Sequence, residues 1–285
     1  AAPTGPLLMM AALSLGTNAS TFAVAGNSAA TRREKRTGKP EPSKLNGLGS
    51  AGGLAGATLG SLMASLHIAP ATHFVMLGGP LALALYFGYS LLDATDAGEA
   101  VEKKALSLPR GPLLFLGAIG FLGAMAEGSI ADWSGVFLKA HFGASDGLAP
   151  LALSAFSAMM LLARLGGDKL KARHGARPLV TSGSMLGAAG LFFAVLSPNA
   201  YVALFGFAVA GMGMALVFPF VFSAAGAQGP AALAGVASMA YSGSLMGPPV
   251  IGAIAQGLGM QAAIAYIGAL AALIAFVASR SRLLK

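Results

Sequence analysis

The chain contains no cysteine, which excludes a disulfide framework, thiolate catalysis and cysteine metal sites. Charge is scarce too: 10% of its 285 residues are Asp, Glu, Lys or Arg, against about a quarter in an ordinary soluble domain. No G-x-x-x-x-G-K-[ST] string occurs, so an ATP-driven motor has no phosphate-binding loop to rest on. An intramembrane serine protease needs a buried histidine, and His67, His73, His141 and His174 all fall at the ends of apolar runs or between them. No enzyme class, cofactor or metal is therefore expected. So few polar side chains cannot cover a water-soluble surface, and the apolar excess, 56% of residues with a mean hydropathy of +0.74, must face lipid.

What is present is a series of apolar runs long enough to cross a bilayer, with most of the 40 glycines and 15 prolines inside them, as in packed membrane helices. Nine such runs appear: Pro6–Ala30, Gly47–Leu66, His73–Leu92, Pro112–Leu138, Gly147–Ala163, Pro178–Leu196, Ala200–Ser223, Leu233–Gly257 and Gln261–Ser279. The expected fold class is all-α, a polytopic transmembrane bundle of about nine helices. A net charge of +8 raises nucleic acid as a partner, but the basic connectors lack the interleaved aromatics that such binding uses. The charges sort by side instead. If every run crosses once, 17 of the 18 Lys and Arg fall on one face, leaving Lys139 with His141 and Asp146 on the other. That is the positive-inside pattern, and it puts the C-terminus in the cytoplasm. Anionic headgroups are the secondary partner of the basic face.

The chain also repeats itself. Ser28-Ala-Ala30 returns as Ser223-Ala-Ala225, and Gly49-Ser50-x-x-Gly53 returns as Gly243-Ser244-x-x-Gly247, at offsets of 195 and 194. A counterpart of the run beginning at Pro112 would then lie roughly eighty residues before Ala1, room for about three more helices. The repeat divides the chain into 1–93, the last three helices of a first half; 94–111, a cytoplasmic linker; and 112–285, a complete second half of six helices with a basic tail.

Two six-helix halves in parallel repetition describe the major facilitator architecture, and particular residues carry the resemblance. The connector Arg164-Leu-Gly-Gly-Asp-Lys-Leu-Lys-Ala-Arg173-His-Gly175 resembles that family's cytoplasmic gate motif, with Gly167, Asp168, Lys169 and Arg173 in the matching positions. Arg164 stands where a glycine is more usual, and Lys169 replaces the commoner arginine. Ser244-Leu-Met-Gly-Pro-Pro-Val-Ile-Gly252 looks like the family's helix eleven. More narrowly, Ala126-Glu-Gly-Ser-Ile-Ala-Asp-Trp-Ser-Gly-Val-Phe-Leu138 is similar to bacterial inner-membrane permeases of the fucose-permease-like branch. The resemblance implies helices four to twelve of a twelve-helix fold. It implies a secondary active transporter of a small solute by alternating access, monomeric, proton-coupled and cofactor-free. A channel or a non-transporting remnant fits the same composition.

Two carboxylates lie inside apolar sequence, Glu127 and Asp132, and an acid at membrane depth is expensive enough to suggest function. Glu127, expected a little past the midplane toward the outside, is the first candidate for proton coupling or substrate binding, against a structural acid hydrogen-bonded between helices. Asp132 beside Trp133 reads as a cap or gate contact at the outer interface, where Trp133 either anchors in the headgroups or stacks on a sugar ring. Asn18 and Asn27 share one broad helical face. With Tyr241 and Gln256 they either line a cavity or bond to a neighbouring helix. Gly49, Gly53, Gly56 and Gly60 form a small-residue stripe suited to close helix crossing, and Pro248-Pro249 is expected to kink its helix. Asp168 and its basic neighbours read as a cytoplasmic latch between access states.

Overall fold

A computed structural model of the chain describes residues 41–89 and 109–284, together with eight single positions between 7 and 26. Every regular element among the described residues is a helix: α1 (Glu41–Ser65), α2 (Pro70–Tyr89), α3 (Pro112–Phe142), α4 (Leu151–His174), α5 (Ala176–Val195), α6 (Ala200–Met214), α7 (Val217–Gly226), α8 (Pro230–Leu258) and α9 (Met260–Arg280). The eight positions in the first apolar run are helical as well. The chain folds into two compact units, Ala1–Leu48 with Pro80–Lys103, and Gly49–Gly79 with Lys104–Lys285. In the first, Thr17 and Asn18 donate to the carbonyls of Leu13 and Ser14, each at 2.7 Å, one turn back along their own helix.

The second unit holds the core. Its turns are short because glycine makes them: Gly175 (φ 80°) alone joins α4 to α5, and Gly259 (φ 87°) alone joins α8 to α9, both in a region that residues with a Cβ rarely enter. Asn199 caps α6 by accepting a hydrogen bond from the Val202 amide at 3.0 Å. Leu116, Ile119, Ile130, Phe137, Leu191, Phe207, Ile264 and Ile274 are fully buried between these helices.

Close approach of backbones sets the packing. On α5 and α6 a Cβ added at Gly183 would lie 2.5 Å from the Gly213 carbonyl oxygen, and one at Gly190 would lie 2.7 Å from that of Gly206. Numbers fall on one helix as they rise on the other, so α5 and α6 are antiparallel. Between α3 and α8 the contacts climb together, from Gly120 on Ala240, through Phe121 on Gly243 and Met125 on Gly247, to Trp133 on Gly252. These two helices are parallel, and so are α4 and α6, which meet where a Cβ at Gly211 would fall on the Phe156 carbonyl. Alternating single crossings demand this parity: the fourth run must match the eighth, and the fifth the seventh. The glycine stripe on α1 is looser than expected. Gly49 and Gly56 have open space beyond them, and Gly53 and Gly60 have nothing nearer than 3.5 Å and 4.0 Å. The tight crossings belong to α5–α6, α4–α6 and α3–α8.

Five helical stretches are long and apolar enough by themselves to cross a membrane: Pro70–Gly88, Pro112–Phe142, Ala176–Val195, Ala200–Gly226 and Met260–Arg280. The second, fifth and eighth runs form helices of 24 to 29 residues but fall outside that set. Glycine and serine dilute α1 and α8, and α4 ends in a cluster of cations, leaving an apolar part of Leu151–Gly167. The seventh run is broken at Ala215 and Leu216 into α6 and α7, whereas α8 continues as one helix through Pro248-Pro249, where the sequence places the kink.

Gly243→Val sets a branched side chain against the Phe121 carbonyl, and overpacking of this kind typically costs about 1–3 kcal/mol. The expected result is a lower unfolding temperature in detergent, with Gly257→Ala, which meets open space, close to the parent. A Gly243→Val protein as stable as the parent would show that α3 and α8 do not cross this closely.

Candidate functional site

Glu127 is the sixteenth of the 31 residues of α3, with fifteen on either side. The helix continues to Phe142, four residues beyond the end of the apolar run at Leu138. Arg164 moves further. Sequence reading assigns it to a connector, but α4 stays helical through His174. Ten residues separate Arg164 from that end, about 15 Å at the helical rise. The side chain is part-buried, with 11% of its surface exposed, and its Nη2 lies 3.9 Å from Oε2 of Glu127, a side chain 31% exposed whose Oε2 is a buried atom without a hydrogen-bond partner among the described residues.

The same guanidinium makes a second contact. Its Nε donates to the Ala215 carbonyl at 3.0 Å. That carbonyl lies four residues before Pro219, whose ring nitrogen has no hydrogen to give and whose ring crowds it. The break at Ala215 and Leu216 follows from the proline, and Arg164 supplies the donor the proline lacks. One side chain on α4 thus links the acid of α3 to the interruption between α6 and α7.

Two further turns of α4 continue this contact. A Cβ on Gly167 would lie 2.6 Å from a methyl carbon of Leu216, so a larger residue there would make the Leu216 side chain shift. Lys171 donates to the Ser223 hydroxyl at 3.2 Å and lies over the Phe220 ring, 5.2 Å from its centroid. Sequence analysis did not single out Lys171, though 164, 167 and 171 share one helical face. Of the other gate-motif residues, Lys169 and Arg173 are exposed, and the side chain of Asp168 lies outside the described residues.

Asp132 is exposed and lines a cleft of about 1080 Å³ with His67, Lys139, Asp146, Ser134 and Pro150. His67 reaches this position in a left-handed turn (φ 56°) that ends α1, with the Ile68 amide donating back to the Met63 carbonyl at 3.0 Å. The end of α1 is also fixed by Ser61, whose hydroxyl donates to the Gly147 carbonyl. Across the mouth, Lys139 forms an ion pair with Asp146. The hydrogen bond and charge of Lys139, with a smaller contribution from His67, hold the Asp146 carboxyl below the ordinary range of an aspartate.

Trp133 faces inward. Its six-membered ring packs on Gly252 of α8, 3.3 Å from where a Cβ would be, and its indole N–H is buried with no acceptor among the described residues. Trp133, expected from sequence either to anchor in the headgroups or to stack on a sugar ring, makes a contact between α3 and α8. Tyr241 and Gln256 are exposed positions of α8. Asn18 bonds within its own helix, and Asn27 lies outside the described residues. The structure therefore joins Glu127 to Arg164, and gathers Asp132 with His67, Lys139 and Asp146. Among the described residues no cluster of three His, Asp or Glu side chains is suited to a metal ion.

Residues 1–242 match the Major Facilitator Superfamily. The chain is 33% identical over 283 residues to an uncharacterised MFS-type transporter of Yersinia pestis, covering 98% of this chain and 73% of that protein. An uncharacterised transporter of Sinorhizobium fredii, y4wD, is also 33% identical, over 97% of this chain and 75% of its own length. The membrane protein MosC of Rhizobium meliloti is 33% identical over 81% of this chain and 57% of its own length. With helices long and apolar enough to cross a bilayer and identity spread over nearly its full length, the chain belongs to the Major Facilitator Superfamily, a family of multi-pass membrane transporters rather than enzymes.

Proposed function

We propose that the chain moves a small polar solute by alternating access and that Glu127 carries the coupling proton. The observation behind this reading is the Glu127–Arg164 pair, a carboxylate and a guanidinium facing each other near the middle of two helices whose other charged residues lie nearer their C-terminal ends. Charges at this depth are costly to keep and mark ion or proton pathways. Arg164 and a proton compete for the same carboxylate. When the pair is intact Glu127 stays charged, and when a proton binds, the attraction between Glu127 and the guanidinium is lost. A cycle of this kind gives two states of the bundle that differ by one proton, as coupled transport requires.

Other features support the rest of the reading. The one-sided distribution of Lys and Arg favours a bacterial inner membrane with a cytoplasmic C-terminus. On that reading 112–285 is the C-terminal half, 1–93 the last helices of the N-terminal half, 94–111 the linker between them, and the transporter a monomer. The cleft beside Asp132 then opens to the outside, with Lys139 and Asp146 as its gate contact. The likeness of Ala126–Leu138 to fucose-type permeases favours a sugar-like solute, and the flat face of Trp133 suits one.

The test is uptake of labelled monosaccharides into proteoliposomes under an imposed pH gradient. Saturable, gradient-driven accumulation of one sugar is expected, and Glu127→Gln abolishes uphill accumulation while sparing counterflow exchange. Unchanged pH-dependent accumulation in Glu127→Gln overturns the assignment.

The outer ion pair gives a second expectation, and its sign is fixed. Asp146 has a depressed pKa, so its bond to Lys139 is complete above the ordinary aspartate range and is lost only as pH falls through the lowered value. The pair stays formed throughout about pH 5–8, and Asp146→Asn should leave the midpoint of the pH–uptake curve in that window unmoved. A shifted midpoint would assign the titration to the outer cleft.

A further inference from the structure

The two acids of α3 face different ways. Five residues separate Glu127 from Asp132, which sets them about 140° apart around the helix at about 100° per residue. Asp132 therefore belongs to a different site from the Glu127–Arg164 pair. It lines the cleft of about 1080 Å³, whose walls come from α1 and the turn after it, from α3, and from the loop into α4, all within one compact unit. We propose that this cleft binds a small aliphatic ammonium ion, with the Asp132 carboxylate as its counter-charge.

Charge decides the sign of the occupant. The titratable groups on the lining are His67, Asp132, Lys139 and Asp146. Lys139 is taken by its ion pair with Asp146, and both side chains are largely exposed at the mouth. Two helical turns, about 10 Å along α3, separate Lys139 from Asp132. Asp132 itself makes no ion pair or hydrogen bond among the described residues. No further charged residue occurs on α1 after Lys44 or on α4 before Arg164, and His141 is turned to Gln261 of α9 at 3.0 Å. With two carboxylates to one lysine and the histidine neutral, the lining carries one negative charge in excess. Because Lys139 and Asp146 offset each other, that charge resides at Asp132.

The rest of the lining describes the body of the ligand. Ala57, Ala64, Ile68, Val136 and Leu153 give aliphatic walls, and apart from the His67 imidazole no aromatic ring is present. Quaternary ammonium groups are held by cages of aromatic faces. Here the carboxylate and hydrogen bonds must do the work, which favours an ammonium that still carries N–H donors. Ser134 adds a second polar point. It is fully buried on the cleft lining, and its hydroxyl has no partner among the described residues. Buried polar groups are unfavourable until bonded, so a polar group on the occupant gains by meeting this hydroxyl.

The test is binding of labelled n-butylammonium to the full chain in nanodiscs of zwitterionic lipid at low salt, with empty nanodiscs as background. Saturable binding is expected, displaced by unlabelled butylammonium, less well by tetramethylammonium, and not by valerate, an anion of similar size. Asp132→Asn should weaken it about tenfold or more. The charges at the mouth should tune it with opposite signs. Lys139→Gln should tighten binding and Asp146→Asn weaken it, each by about two- to fourfold, the effect of a unit charge about 10 Å away. The chain has no cysteine, so Ala64→Cys on the α1 wall is a single reactive site. Butylammonium should slow its reaction with a maleimide, and valerate should not.

Unchanged binding in Asp132→Asn overturns the proposal, and so does butylammonium that leaves Ala64→Cys unprotected. Binding lost in Glu127→Gln but kept in Asp132→Asn would place the ammonium at the deeper acid and overturns it as well. Should Asp132→Asn fail to fold, the opposed responses of Lys139→Gln and Asp146→Asn take over the decision, and equal affinities in the two sink the site. These measurements read binding without uphill uptake. A cleft that binds no ammonium leaves the coupling role of Glu127 standing, and failed coupling by Glu127 leaves the cleft site standing.

Discussion

Backbone polar groups inside a bilayer have no water to bond with, and the placement of glycine, proline and arginine in this chain follows from that constraint. Most of the helical backbone bonds to itself, which permits helices to touch backbone to backbone. The crossings at Gly183, Gly190, Gly206 and Gly213 on α5 and α6, and at Gly243 and Gly247 on α8, are of this kind. Association in lipid draws little on hydrophobic burial, because the tails are as apolar as leucine, so close van der Waals packing at small residues carries more of it. Pro219 is where this solution fails locally. It removes a donor from the middle of a run that is otherwise among the most apolar in the chain, and the repair comes from a charged side chain on another helix.

That repair accounts for the unusual depth of Arg164. A cation fifteen ångströms or so from the end of its helix has two demands, hydrogen-bond acceptors and a counter-charge. The Ala215 carbonyl meets one at 3.0 Å and Glu127 meets the other at 3.9 Å. The remaining described cations need no such arrangement because they stand where water and headgroups reach them, as the exposed Lys139, Lys169 and Arg173 do. The outer ion pair between Lys139 and Asp146 belongs to this second group. Exposed pairs contribute little stability, with typical values of about 0–1 kcal/mol, so its interest lies in bridging the mouth of the cleft.

Periodicity and composition carried the architecture well. The apolar runs from Pro112 onward correspond to helices, and the parallel pairing of α3 with α8 and of α4 with α6 obeys the parity that alternating crossings impose. Glu127 was legible because an acid inside an apolar run is conspicuous. Arg164 was visible as a residue but assigned to a loop, since a basic cluster reads as a connector when helix ends are judged by hydropathy. The glycine at 175 makes a connection of one residue, and α4 therefore extends ten residues past Arg164. The break at Ala215 was missed for a related reason: one proline in a strongly apolar run is less noticeable than the pair at Pro248-Pro249. Whether a proline interrupts its helix depends on tertiary partners for the carbonyl it strands. The sequence leaves Trp133 as an anchor or a stacking surface, and only the register of α3 against α8 reveals that it packs on Gly252.

The three groups at the centre of the bundle explain one another energetically. An arginine at the middle of a membrane helix costs about 2.5–3.5 kcal/mol on insertion scales, and a carbonyl stranded in hydrocarbon is also unfavourable by several kcal/mol, as is a carboxylate without a partner. Each cost falls when the groups meet: the guanidinium finds an acceptor and a counter-ion, the carbonyl a donor, and Glu127 a charge to face. Arg164 is the shared member: removing it takes a partner from both Glu127 and the Ala215 carbonyl, and breaking a buried pair in this way is costly. The 3.9 Å separation matters here, because a pair beyond hydrogen-bond distance is held by charge alone. Glu127 therefore holds Arg164 by charge, and the Ala215 carbonyl holds it by a directed hydrogen bond that a helix with an alanine at 219 would not need.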